Sequence, residues 1–190
     1  MSRSSPQPIG VVTAPRSVAG YHGCSAEVAA RVLAGDPLAT SRNPWDWLGQ
    51  GVYFWEYGPV RARQWAEEHC GSGEPAVLEA RIRLGRCLNL MDAAHFTGLR
   101  IAYEHVLANV AGAVGLRNTE RGLHKLDRRV VDGYCDKVVD QGAKPFQTVR
   151  GCFPEGEPVF AGSKILSLTH VQIAVRDPAC ISRVRLVNFM

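Results

Sequence analysis

Apolar and polar residues alternate most plainly in two parts of the chain. From Ala76 to Leu84, the positions Ala76, Leu78, Ala80, Ile82 and Leu84 point one way. Val77, Glu79, Arg81 and Arg83 point the other. That two-residue period predicts a half-buried strand. The same period runs through H-V-Q-I-A-V-R at 170–176 and predicts a second strand. Shorter apolar runs at Val18–His22, Gly51–Trp55, Cys87–Leu90, F-Q-T-V-R at 146–150 and V-R-L-V at 184–187 complete a set of candidate strands.

Helices are predicted between them. Ser25 can cap A-E-V-A-A-R-V-L-A, which Gly35 ends. Gly58-Pro59 opens a second helix, with proline in its permissive first turn and Gly71 beyond its end. Asp92 can cap a helical stretch reaching about Val114, and another covers about Gly122 to Val139 before Gly142 and Pro145. Residues 36–50 and the turn-rich F-P-E-G-E-P-V-F-A-G-S read as loops. The order predicts one α+β domain over 17–190, on a twisted, mostly antiparallel sheet with flanking helices. A helical insertion occupies about 92–142. Residues 1–16, rich in Ser, Pro and Arg, read as a flexible tail.

Composition narrows the picture. With 190 residues and 46% hydrophobic content, the chain can bury a core of ordinary size. The net charge of +4 allows an anionic partner without requiring one. No stretch approaches the roughly 18 apolar residues of a membrane span. The first residues lack the apolar core of an export signal, so a cytoplasmic location is expected. Six cysteines with no C-x-x-C spacing read as reduced thiols, and no metal site is expected.

Y-H-G at 21–23, G-Q-G-V-Y-F at 49–54, A-R-Q-W at 62–65 and the late strand H-V-Q-I-A-V-R-D-P occur in an order that resembles the ADP-ribosyltransferases of the PARP and diphtheria-toxin type. The resemblance spans about residues 18–188. It implies a split, twisted sheet that binds NAD as co-substrate in a cleft between its halves, with a histidine, a tyrosine and a glutamate as family landmarks. Carried over, His22 would bind the adenosine-side ribose. Gly23 would bring its backbone to the nicotinamide carboxamide, and Gly51 would make room on the next strand. Tyr53 and Trp65 would hold the cationic ring between aromatic faces. Ser41, Arg42 and Asn43 would sit near diphosphate and adenosine, with Arg42 able to pair with phosphate.

Two positions depart from the family pattern. Arg61-Ala62 stands where a serine is common, and Gln172 where the catalytic glutamate is expected. Glutamine can bind a ribose hydroxyl but supplies no negative charge to a developing cation. Glu155, in the loop before that strand, is therefore the expected compensating carboxylate. His170 and Glu157 are expected to face the acceptor. The resemblance implies a mono-ADP-ribosyltransferase, a pentosyltransferase modifying a nucleic acid or protein. A small toxin of a bacterial conflict system, with a possible antitoxin partner, would fit. The alternatives are a catalytically weak NAD- or ADP-ribose-binding pseudoenzyme and an RNA 2′-phosphotransferase-like enzyme.

Overall fold

The structure is a computed structural model that describes residues 17–43, 45–109, 116–118 and 123–189. The residues expected to form the N-terminal tail, and residues 110–115 and 119–122 of the expected insertion, including the expected helix start at Gly122, lie outside the described set. The elements run β1 (Ser17–Ser25), α1 (Ala26–Leu33), β2 (Val52–Glu56), α2 (Pro59–His69), β3 (Pro75–Arg83) and β4 (Cys87–Asn89). They continue with α3 (Phe96–Asn109), α4 (Lys125–Asp140), β5 (Thr148–Phe153), β6 (His170–Val175) and β7 (Ile181–Leu186).

The architecture is α+β, with a seven-stranded mixed sheet in the order β4-β5-β6-β2-β1-β3-β7. Only β4 and β5 run parallel; the other neighbouring strands are antiparallel. β1 is in register with β3 along its whole length, Ser17↔Arg83 to Ser25↔Pro75. Its register with β2 covers only Gly20↔Glu56 and Tyr21↔Trp55. Beyond Tyr21 the two strands part, and the sheet opens at its middle.

Local chemistry explains the first helices. Ser25 accepts the Val28 N–H and caps α1, and Gly35 follows the helix at φ 115°, in the left-handed region. α2 lies across β1 and β3 because Gly23 leaves it room. A Cβ on Gly23 would sit 2.2 Å from the Ala62 carbonyl oxygen and 3.3 Å from the Ala66 Cβ. That contact also corrects the half-buried reading of β3. Val77 is as buried as its neighbours Leu78 and Ala80, since Ala62 and Trp55 cover the face where Glu79 and Arg81 lie.

One face of the sheet packs Val18, Phe54, Ile82, Ile173 and Val175 into the main core. The opposite face carries α2 over one half. Over the other half, Val131 and Cys135 of α4 meet Val149, Leu88 and Ala174. The helical segment expected to be an insertion therefore completes the core of the β4-β5-β6 half. α4 also pins the 36–50 loop: Asp132 accepts from the Gln50 N–H at 3.0 Å and from Arg176 at 2.7 Å, and Arg128 donates to the carbonyls of Arg42 and Asn43. Arg176 and Arg150 are thus partly buried ion-pairing groups, with Arg150 held by both carboxylate oxygens of Glu56. All six cysteines are free thiols. Among the described residues, no helix is long and apolar enough to cross a membrane, and no cluster of three or more His, Cys, Asp or Glu is placed to hold a metal.

Candidate active site

A cleft of about 700 Å³ lies where β1 and β2 part, between α2 and the 36–50 loop. That volume falls within the range of roughly 300–1,000 Å³ common for cofactor sites. Its walls come from β1 (His22), β2 (Tyr53, Trp55), β6 (Gln172), α2 and the two loops.

His22 stands at the point of separation. Its Nδ1 lies 2.8 Å from the Tyr53 carbonyl oxygen. A carbonyl only accepts, so Nδ1 carries the hydrogen and donates, and Nε2 keeps a lone pair when the ring is neutral. Burial pushes the His22 pKa down, partly opposed by that hydrogen bond, so the ring is neutral at physiological pH. Gly23 follows it. The Tyr57 N–H donates to the Ala19 carbonyl on the β2 side of β1. By the alternation of a strand, Tyr21 and Gly23 turn their own N–H and C=O the same way. Tyr21 meets Trp55 there, whereas at Gly23 the strands have already parted.

Tyr53 is fixed through its hydroxyl, which donates to the Gly49 carbonyl at 2.7 Å and accepts from the Leu48 N–H at 3.0 Å. Burial raises its pKa well above the ordinary phenol value. Tyr53 is therefore a rigid aromatic wall and no acid or base. Trp65 is braced by a parallel stack on His69 (centroids 4.4 Å apart) and a tilted contact with Trp55 (5.9 Å). Across the cleft Trp47 stacks on His124 at 3.8 Å.

Gln172 pairs with Trp55 of β2 and Gly151 of β5, so both neighbouring strands set its depth. It is 8% exposed, and its Oε1 has no hydrogen-bond partner. Glu155 approaches Arg61 and His170, each at 3.7 Å. Burial lowers the His170 pKa, and His170 donates from Nδ1 to the Leu168 carbonyl. Its approach to Glu155 is accordingly no ion pair at neutral pH. Ser41 donates to Asp46 at 3.0 Å and accepts from Asn43 at 2.9 Å. Burial lifts the Asp46 pKa to about 6, with the Ser41 hydrogen bond working against that rise.

Among the described residues, buried side-chain polar atoms without a hydrogen-bond partner are Asp46 Oδ2, Trp55 Nε1, Arg61 Nε, His124 Nδ1, His170 Nε2 and Gln172 Oε1. Five of these six residues line the cleft, and the sixth, His170, touches its Glu155. Such atoms are rare in folded proteins, and a cluster of them in one cleft is what bound water, an ion or a polar ligand would satisfy.

His22, Ser41, Arg42, Asn43, Tyr53, Trp65, Glu155 and Gln172 are thus brought together as the sequence led us to expect. Four expected residues are placed differently. Gly51 lies outside the cleft, bridged to Ser41, where a Cβ would press on Ala174 and Val175 of β6. The missing side chain of Gly23 makes room for α2, and only its peptide groups face the gap. Glu157 is exposed on its loop, outside the lining residues. His170 sits behind Glu155 rather than on the cleft surface. Asp46, Trp47, Trp55, Glu68, His69 and His124 also line the cleft, beyond the residues expected from the sequence. Arg61, Trp65, Glu68 and His69 follow helical spacing on one face of α2, and that stripe was a readable signal. Nothing in the sequence announces His124.

No protein-family model matches the chain, and no curated protein matches it. A solved structure described as the crystal structure of an anti-CRISPR protein is similar at TM-score 0.40 and 10% identity, over 95% of this chain and 100% of that one. A likeness at that distance bears on neither fold nor function.

Proposed function

We propose that this chain is an NAD-dependent mono-ADP-ribosyltransferase with the split-sheet fold of the PARP and diphtheria-toxin type. The observation that carries the reading is the cluster of unpaired buried polar atoms in an aromatic-walled cleft, at the point where the sheet opens. NAD offers what those walls lack: ribose hydroxyls to donate, a diphosphate for a cation, and a planar cationic ring. His22 Nε2 accepts from the adenosine-side ribose. Gly23 presents an N–H and a C=O to the carboxamide. The ring of Tyr53 holds the nicotinamide by a cation–π contact. Arg42 pairs with the diphosphate.

In the reaction the bond from ribose C1′ to the nicotinamide nitrogen breaks, and its electron pair leaves on the nicotinamide. The ribose becomes cationic as the acceptor's lone pair attacks C1′, and the acceptor loses a proton. Gln172 Oε1 accepts from a ribose hydroxyl and orients the sugar. Glu155 supplies the negative charge near the developing cation and takes the acceptor's proton. Without such a charge, transition-state stabilisation would fall by several kcal/mol. A second reading is favoured by Gln172 itself: a protein that binds NAD and turns it over poorly.

The test is incubation with biotin-labelled NAD and cell lysate, then nuclease or protease treatment before blotting. Transfer of label by the wild type, lost in His22→Ala and reduced at least tenfold in Glu155→Gln, is expected. Full labelling by His22→Ala would refute the site. Binding without labelling, with nicotinamide release appearing in Gln172→Glu, would establish the second reading.

A further inference from the structure

Beside the cleft lies a second cavity of about 680 Å³, which shares Thr40 and Arg42 with it. Arg42, Arg86 and Lys144 line it, and all three are exposed. None forms an ion pair among the described residues. The fourth cation on its wall, Arg176, is committed to Asp132 and Asp136. The one acid there, Asp177, accepts from Gln147 and from the Ala179 N–H, which lower its pKa and keep it turned into its own turn. The Arg86 guanidinium lies 4.6 Å over the Phe146 ring, which fixes its plane and leaves its N–H groups free at the edge. On the same loop as Arg42, Trp45 is 42% exposed and lines the cleft, with no ring partner among the described residues.

Three free cations line one trough that shares Thr40 and Arg42 with a cleft walled in part by the exposed Trp45, and such a surface matches a flexible polyanion that carries aromatic bases. We propose that this trough binds the phosphate backbone of a single-stranded nucleic acid. Arg86 and Lys144 contact phosphates of the strand, Arg42 at the junction stays with the cleft, and Trp45 stacks a base at the mouth of the cleft. The exposed Trp45 favours a single strand, whose unpaired bases offer faces for stacking, over a duplex. The purpose of the site, delivery of the acceptor, rests on the transferase reading; the binding does not.

The test uses a fluorescent single-stranded oligonucleotide of about twelve nucleotides, with anisotropy read between ~50 and ~200 mM salt. The groove variant is Arg86→Gln with Lys144→Gln, which spares Arg42 of the cleft. Arg31→Gln with Arg129→Gln removes the same charge elsewhere on the surface. The groove variant is expected to lose at least about tenfold in affinity, and its log–log salt slope to shrink by ~1.4, as for two lost phosphate contacts on a single strand. The control variant keeps wild-type binding within about threefold. Equal losses in the two variants, or binding to anionic phospholipid vesicles with none to the oligonucleotide, overturn the proposal. NAD thermal shift on the same proteins separates the two readings. NAD binding without oligonucleotide binding refutes the groove alone, and the reverse refutes the cleft alone.

Discussion

Single residues in the cleft have separable duties. The Tyr53 hydroxyl holds the 48–49 turn, and its ring forms a wall. Tyr53→Phe should therefore cost about 1–2 kcal/mol in urea denaturation, the worth of its two hydrogen bonds, yet change NAD affinity less than threefold. A large affinity loss with unchanged stability would mean that the hydroxyl touches ligand instead. Asp46 carries a pH signature. Its folded pKa of about 6 lies above its ordinary value of 3.8. Between those pH values the unfolded chain has released the proton and the folded chain still holds it. Stability from this group is thus full below about pH 4 and falls as pH rises through 6, by roughly 3 kcal/mol. His22 and His170, with lowered pKa values, act in the opposite sense and lose stability as pH falls below 6.5. The difference between the wild type and Asp46→Asn isolates the carboxylate. That variant is expected to gain on the wild type as pH rises from 4 to 7 in urea melts, and a constant difference would contradict the assignment.

Elements explain why these residues meet. β1 serves three partners at once: β3 along its length, β2 over two residues, and α2 through the gap at Gly23. Gly23→Ala puts a methyl group against the Ala62 carbonyl and should cost at least about 1–3 kcal/mol, because backbone rather than a flexible side chain must move. A urea midpoint equal to that of the wild type would show that α2 does not rest on this glycine. Much of this level was legible. The alternation in β3 and β6, the Ser25 cap and the Gly58-Pro59 helix start all follow from short-range rules, and each element lies within a few residues of its expected span. The rest depended on tertiary neighbours. Val77 is buried because a helix from elsewhere covers it. Arg150 and Arg176 found carboxylates 94 and 44 residues away in sequence. His124 enters the cleft only through its stack on Trp47. Gly51 and Gly23 were both legible as close-approach glycines, but what approaches them was not.

Across the whole molecule, one opening in one sheet organises everything else. α2 and α4 cover opposite halves of the same face, and the 36–50 loop, tied to α4 through Asp132 and Arg128, closes the space between them. Catalysis by this cleft would combine a neutral histidine, a rigid aromatic wall, an uncharged Gln172 and a loop carboxylate. The account stands first on NAD occupying the cleft, and calorimetric titration of the purified protein with NAD tests that most directly. It predicts saturable one-to-one binding, weakened at least about tenfold in a folded His22→Ala variant that has lost a hydrogen bond to the ligand. Absence of saturable binding in the wild type, or the same affinity in the variant, would contradict it.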